Sequence, residues 1–302
     1  MFTISRRLAI AVTLATVPLL SAPVLAQELT GTLKKIKETG LITLGHRESS
    51  IPFSYYDDKQ QVVGYSQDMM LKAVEAIKAD LQLAKLDIKL LPVTSENRIT
   101  LVQNGSVDLE CGSTTNTAER QKQVSFSYSI FVAGTRLMTK TSSGIKDFPD
   151  LAGKNVVTTA GTTSERLLRK MNQDSNMKMK IISAKDHGEA FLLLENGGAA
   201  AFVMDEGLLF GEMAKAKNAR EWSVVGTPQS YEAYGCMMRK DDPAFKKVVD
   251  AGLAKVMTSG EADKLYAKWF LQPIPPKGLN LNFALSYALK KLYKSPNDKA
   301  YD

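Results

Sequence analysis

Four hydroxyl side chains fall within five positions of "ECGSTTNTAER", Glu110–Arg120, and an arginine closes the stretch. The apolar residues before it read as a strand, and "NTAERQK" opens a helix. Free backbone N–H groups at a helix start attract a carboxylate. Ser113 and Thr115 add hydroxyls, and Arg120 lies one turn on, where a guanidinium can grip a carboxylate at two points. Simple capping of the helix by Asn116 or Thr115 is the bland alternative. The same construction recurs in "TAGTTSERL", where a strand leads through Gly161, Thr162 and Thr163 into a helix. This stretch has no GxGxxG or GKS/GKT pattern, which counts against a nucleotide ligand.

Four more positions join these. Arg47 directly follows the apolar run "LITLGH", which is costly unless the guanidinium meets an anion or stays wet. In "TSENRI", Ser95 is a candidate helix cap and Arg98 a cation in a first helical turn, where it opposes the macrodipole. His187 sits at a helix start in "AKDHGEA", and Asp205 ends a strand in "AFVMDEG". Each also reads as an ordinary surface or capping residue. Taken together, the three arginines and Asp205 sum to +2 with the histidine neutral. An amino acid carrying a second carboxylate, net −1, suits that balance. A neutral amino acid would leave a buried arginine without its anion. No nucleophile–base pair stands out, so no catalytic residue is assigned.

The elements that must bring these residues together alternate regularly. "LITLGHR", "KLDIKLLPV" and "SVDLECGS" read as strands, and "GYSQDMMLKAVEAIKADL" and "TSENRITLVQNG" as the helices between them, with Ser66 a possible cap. Such β-α-β-α-β order implies a mainly parallel sheet. After "FSYSIFVAGTRLMTK" the pattern restarts, and "SYEAYGCMMRK" returns as one more strand followed by two helices. The reading is two α/β domains with the second inserted in the first. Crossings are expected near Tyr128–Gly134 and Tyr231–Gly235, making a two-strand hinge with a cleft between the lobes. Residues 27–131 and 234–302 form lobe 1, with a helical C-terminal tail near Phe283–Tyr293, and 132–233 form lobe 2. In open α/β sheets ligands bind beyond the carboxyl ends of strands, where every polar cluster above falls.

The 302 residues suffice for two such domains. Residues 1–26 read as a secretory signal peptide: Arg6 and Arg7, an apolar run from Leu8, then small residues ending at Ala26. Pro18 and Pro23 interrupt that run, which argues against a membrane anchor. Removing the two arginines takes the net charge from +7 to +5. Export and the lack of a long Lys/Arg run speak against nucleic acid. With two histidines far apart in sequence and no CxxC, no metal or cofactor is expected. Cys111 and Cys236 are a disulfide candidate in an oxidising compartment.

Eight segments in order make the chain similar to a known family: "GHRESSIPFSYYD", "VVGYSQD", "NRITLVQNGSVDLECGSTTNTAERQKQ", "FVAGTRL", "GTTSERLL", "IISAKDHGEAF", "YEAYGCMMRKDDPAFK" and "QPIPPKGLNLNF". They resemble the polar-amino-acid solute-binding proteins of bacterial ABC importers, in the branch that takes glutamate and aspartate, over essentially the whole mature chain. The resemblance implies a two-lobed type II periplasmic-binding fold that closes on its ligand by hinge motion. It implies a non-enzymatic, monomeric periplasmic receptor that delivers L-glutamate and L-aspartate to an inner-membrane permease and its ATPase. Arg120, Ser113, Thr115 and the N–H groups near Thr163 or Thr162 would hold the α-carboxylate. Asp205 and the Ser113 region would take the ammonium. Arg47 and Arg98, helped by Ser95 and His187, would hold the side-chain carboxylate. It also places Cys111 and Cys236 on adjacent strands, close enough to bridge. A small-acid enzyme such as a dehydratase on the same scaffold is the alternative.

Overall fold

A computed structural model describes Phe2 and residues 29–300; the expected signal peptide lies outside these, apart from Phe2. Ten strands build two sheets. The first contains β1 (Leu41–His46), β2 (Asp87–Pro92), β3 (Leu109–Glu110), β4 (Val124–Ala133) and β10 (Glu232–Arg239), in the order β2-β1-β3-β10-β4. The second contains β5 (Thr135–Lys140), β6 (Asn155–Thr159), β7 (Lys180–Ala184), β8 (Ala201–Asp205) and β9 (Trp222–Val225), in the order β7-β6-β8-β5-β9. In each sheet three strands run parallel, as helical crossovers require; the next strand, β10 or β5, runs antiparallel to them, and the edge strand, β4 or β9, pairs antiparallel with that one.

The chain crosses between sheets twice. The first crossing is Gly134, between β4 and β5; the second is the segment between Val225 and Glu232. The two lie against each other, and a Cβ on Gly134 would come 2.9 Å from the Pro228 side chain, so a residue without one is needed there. β4 and β10 remain paired up to Glu232↔Ala133. The sequence boundaries at 131/132 and 233/234 therefore fall inside these two strands, a residue or two before and after the crossings.

Aromatic packing surrounds the crossings. Phe53, Tyr65, Phe131, Tyr234, Tyr266 and Phe270 are buried, with ring pairs such as Tyr266–Phe270 at 4.4 Å and Phe53–Phe131 at 4.7 Å. Each such ring removes a large apolar area from water. Tyr65 anchors the cluster polarly, its hydroxyl donating to the Ile130 carbonyl at 2.7 Å. The chain end adds a strap: helix Tyr287–Lys294 is followed by Asn297, whose carbonyl accepts from the Ser129 N–H at 2.8 Å. That helix begins four residues later than the sequence implied.

Cys111 and Cys236 are disulfide-bonded. Cys111 stands one residue past β3, and Cys236 lies on neighbouring β10, with their Cα atoms 4.3 Å apart. Among the described residues no helix is long and apolar enough to cross a membrane.

Some local expectations fail for tertiary reasons. Helix Tyr65–Asp80 starts after Gly64 at φ 135°, and Ser66 is not its cap. A side chain at Gly64 would collide with the Phe53 backbone, so the turn is set by that approach. Ser66 is buried inside the helix, where its hydroxyl donates to the Gly112 carbonyl at 2.7 Å and props the loop after β3.

Candidate functional site

The polar clusters that follow the strands face one another where the two sheets meet. After β1 comes Arg47, 1 % exposed, with its backbone N–H on Ser54 Oγ at 2.9 Å. After β2, Thr94 and Asn97 bond each other reciprocally at the start of helix Arg98–Gln103. This leaves Ser95 free of the capping role its sequence position implied, and its buried Oγ has no partner among the described residues. Arg98 is buried in the first turn, and its Nη1 donates to the Ser113 carbonyl at 3.2 Å and to Thr114 Oγ1 at 2.5 Å.

After β3, the loop from Ser113 to Asn116 is buried throughout. Thr117, not Asn116 or Thr115, caps the short helix Ala118–Gln121 by accepting from the Arg120 N–H at 3.2 Å. Asn116 instead bonds the Ala233 carbonyl through its N–H and the Asp298 carbonyl through its amide, tying the loop to β10 and the strap. Arg120 Nη1 donates to the Thr115 carbonyl at 2.9 Å, and Nη2 reaches the other sheet's loop at the Gly161 carbonyl, 3.2 Å away.

From the second sheet, helix Thr163–Asp174 points its first turn at this loop. Thr162 is its cap: the hydroxyl accepts from the Glu165 N–H and donates to the Thr159 carbonyl at 2.6 Å. Its hydroxyl is thus occupied, and Thr163, one residue on, faces the cleft with Oγ1 3.5 Å from Thr115 Oγ1. His187 is buried, its Nδ1 2.8 Å from Thr159 Oγ1. Asp205 stands at the cap position of helix Glu206–Lys215 without capping it. Its carboxylate accepts from Thr135 at 3.0 Å, Ser164 at 3.1 Å and Tyr234 at 2.5 Å. All ten candidate residues, Arg47, Ser95, Arg98, Ser113, Thr115, Arg120, Thr162, Thr163, His187 and Asp205, thus come to one region, although Thr162 presents a cap rather than a free hydroxyl.

Electrostatics confirms the proximity and explains the protonation states. Burial first and the Arg98 charge second push Arg47 down to about 10 and Arg120 down to about 9. Arg98 itself is lowered by burial. Burial, then the Arg47 and Arg98 charges, hold His187 well below its ordinary value, so it is neutral at pH 7. Asp205 rises to about 7, through burial first and the nearby Glu232 second.

Two carboxylates missed in the sequence lie in the same place. Glu110, at the end of β3, is fully buried and accepts from Thr114 Oγ1 at 2.8 Å. Glu232, at the start of β10, is 4 % exposed and accepts from Thr163 at 2.8 Å and Ser230 at 2.5 Å. With both ionised, the balance of fixed charges falls from the expected +2 to zero. The sum over the whole site cannot therefore select an acidic ligand, but its distribution can: Glu110 acts on all three arginines, with Asp186 beside Arg47, Asp205 beside Arg98 and Glu232 beside Arg120. Only the position of Glu110 at the end of a strand, beside the hydroxyl cluster, hinted at its role.

Several buried polar atoms have no partner among the described residues, and five gather here: Arg47 Nη1, Ser95 Oγ, Arg98 Nε, Glu110 Oε1 and His187 Nε2. Ser50, Gln67, Ser129 and Glu212 carry the others among the described residues. Buried polar groups without partners are costly, and their clustering marks a place built for a polar guest.

The lobes also touch. Phe53 of the first lies against Gly207 of the second, and the Gly188 N–H donates to Ser49 Oγ at 3.3 Å. Glu119 and Arg166 form an ion pair across the cleft.

The family model for bacterial extracellular solute-binding proteins, family 3, matches residues 42–272. The chain is 65% identical over 283 residues to a Pseudomonas aeruginosa L-glutamate/L-aspartate-binding protein, covering 93% of this chain and 94% of that one. It is 61% identical over 269 residues to a Salmonella typhimurium glutamate/aspartate import solute-binding protein, covering 89% of each. Among solved structures, an ancestral amino-acid-binding protein described as a precursor of cyclohexadienyl dehydratase superposes with a TM-score of 0.67 at 28% identity, covering 79% of this chain and 99% of that one. Two α/β sheets joined by a double crossing and a match across most of the sequence agree: the chain belongs to family 3 of the bacterial extracellular solute-binding proteins.

Proposed function

We propose that this protein is the periplasmic receptor of an ABC importer, capturing L-glutamate and L-aspartate between its lobes and delivering them to an inner-membrane permease and its ATPase. The single observation that carries the ligand class is the group of partnerless atoms on Arg47, Arg98, Ser95 and His187. Two cationic donors, a hydroxyl and an imidazole nitrogen converge with their hydrogen-bonding capacity unused, as a ligand carboxylate requires.

In this reading the lobes are 27–131 with 234–302, and 132–233, and the mature chain acts as a monomer. At the other end of the ligand, Arg120, Ser113, Thr115 and the backbone near Thr163 receive the α-carboxylate. Arg120 then exchanges its bonds to backbone carbonyls for stronger charge-assisted ones. Asp205, with the Ser113 region, receives the ammonium. Thr162 contributes by fixing the helix start. The near-identical ligand names carried by relatives at 61 and 65% identity support the same choice.

Thermal-shift screening of the amino acids, followed by calorimetry, tests this. Glutamate and aspartate should raise the melting temperature and bind at micromolar concentration or tighter, at least about −8 kcal/mol. Failure of both to bind, with another amino acid binding, refutes it. A second reading, a small-acid enzyme, draws on the dehydratase precursor among the structural relatives. Ligand recovered chemically intact after prolonged incubation separates a receptor from that enzyme.

A further inference from the structure

The proposed ligand contacts give no task to Glu110 or Glu232; Glu232 has both its oxygens engaged by Thr163 and Ser230, and Glu110 does not. Glu110 Oε2 accepts from Thr114 Oγ1 at 2.8 Å, and Thr114 accepts in turn from Arg98 Nη1 at 2.5 Å. Its Oε1 has no partner among the described residues. Two glycines make room for it. A Cβ on Gly45 would lie 3.1 Å from Glu110 Cγ, and one on Gly112 would lie 2.7 Å from Oε1 and 2.9 Å from Arg47 Cγ. The carboxylate and the Arg47 stem therefore share the space beside Gly112, and Arg98 is one hydroxyl away. A buried carboxylate with one neutral donor is costly unless cations stand beside it. The influence runs both ways: Glu110 favours the charged form of Arg47, Arg98 and Arg120 alike.

We propose that Glu110 is a specificity-setting counterion: its carboxylate, held behind Arg47 and Arg98 through Thr114, fixes how strongly the pocket prefers a second ligand carboxylate over the corresponding amide. The proposal rests on the glutamate/aspartate reading above. Glu110 faces both Arg47 and Arg98 and offsets part of their positive charge, ahead of Asp186 at Arg47 and Asp205 at Arg98. What remains still attracts one carboxylate, so the ligand is held yet released. Without Glu110 the two guanidinium groups would grip a carboxylate harder and disfavour an amide more, because the repulsion between Glu110 and the bound carboxylate would be gone.

Competition calorimetry and stopped-flow dissociation on the mature protein, with glutamate and glutamine as probes, test it. Glu110→Gln retains an acceptor for Thr114 and removes only the charge. The glutamate-over-glutamine affinity ratio should rise about tenfold, and glutamate should dissociate more slowly. Glu110→Asp should keep the wild-type ratio. A Glu110→Gln protein with an unchanged or lower ratio, or with both ligands weakened equally, overturns the proposal and leaves Glu110 a merely structural residue. Should the variant fold poorly, its thermal stability with each ligand gives the answer: rescue by glutamate and not glutamine supports the proposal, and rescue by neither overturns it. Wild-type protein that binds glutamate no better than glutamine would instead refute the glutamate/aspartate reading itself.

Discussion

The two ends of the site are built differently. Around Arg120 and Asp205 nearly every polar group already has a protein partner: Arg120 donates to two carbonyls, Asp205 accepts from three hydroxyls, and Thr163 bonds Glu232. Around Arg47 and Arg98 the donors are buried with capacity unspent. Under the proposed reading, the first end must trade bonds when a ligand arrives, and the second gains them. General amino-acid recognition would therefore depend on a strong, preorganised end, and discrimination among side chains on the end whose unpaired groups make a wrong ligand costly.

Four outcomes break or sharpen that contrast, and the largest concerns the satisfied end. Arg120→Ala should abolish binding of every amino acid, a loss of roughly 3–5 kcal/mol by calorimetry, since the α-carboxylate is common to all. Arg47→Ala should cost dicarboxylic ligands about 2–4 kcal/mol and glutamine much less. Normal glutamate binding by Arg47→Ala would remove the side-chain assignment and with it the distinction between the ends.

A proton should mark the third. Asp205 is raised to about 7 in the ligand-free protein, by burial and Glu232, whereas an ammonium beside it favours the carboxylate. Binding below pH 7 should then release a proton, and affinity should rise with pH up to about 7. The folding linkage has the opposite slope: the folded ligand-free protein holds this proton more tightly than the unfolded chain, so its stability falls as pH rises from the ordinary carboxylate range toward 7. Calorimetry in buffers of different ionisation enthalpy at pH 6 checks the proton; a heat independent of buffer would contradict it. The smallest effect belongs to the pair Arg166–Glu119, both half exposed. Arg166→Ala should change affinity by less than about 1 kcal/mol, and the change should vanish in high salt.

Much of the site was legible because strand ends carried side chains that strands do not favour. Arg47 after "LITLGH" and Thr162–Thr163 after a strand and Gly161 stand out against apolar neighbours. Local chemistry was less legible. Ser66 and Ser95 both looked like caps, but Gly64 and the Thr94–Asn97 pair start those helices. A hydroxyl near a helix start has several equivalent local uses, and only the approach of another segment chooses between them. Glu110 and Glu232 were passed over because an acidic residue beside a strand is usually solvated.

The sequence alone determined the alternation of strands and helices and the residue types waiting at the strand ends, since these follow from periodicity and composition within short windows. Tertiary structure alone decided which hydroxyls are occupied, which charges face one another and where hydrogen-bonding capacity is left over. Those outcomes depend on burial and on partners such as Thr163 and Glu232, 69 residues apart. Electrostatic energy depends on distance and solvent exposure in space, and neither is written in the order of the chain.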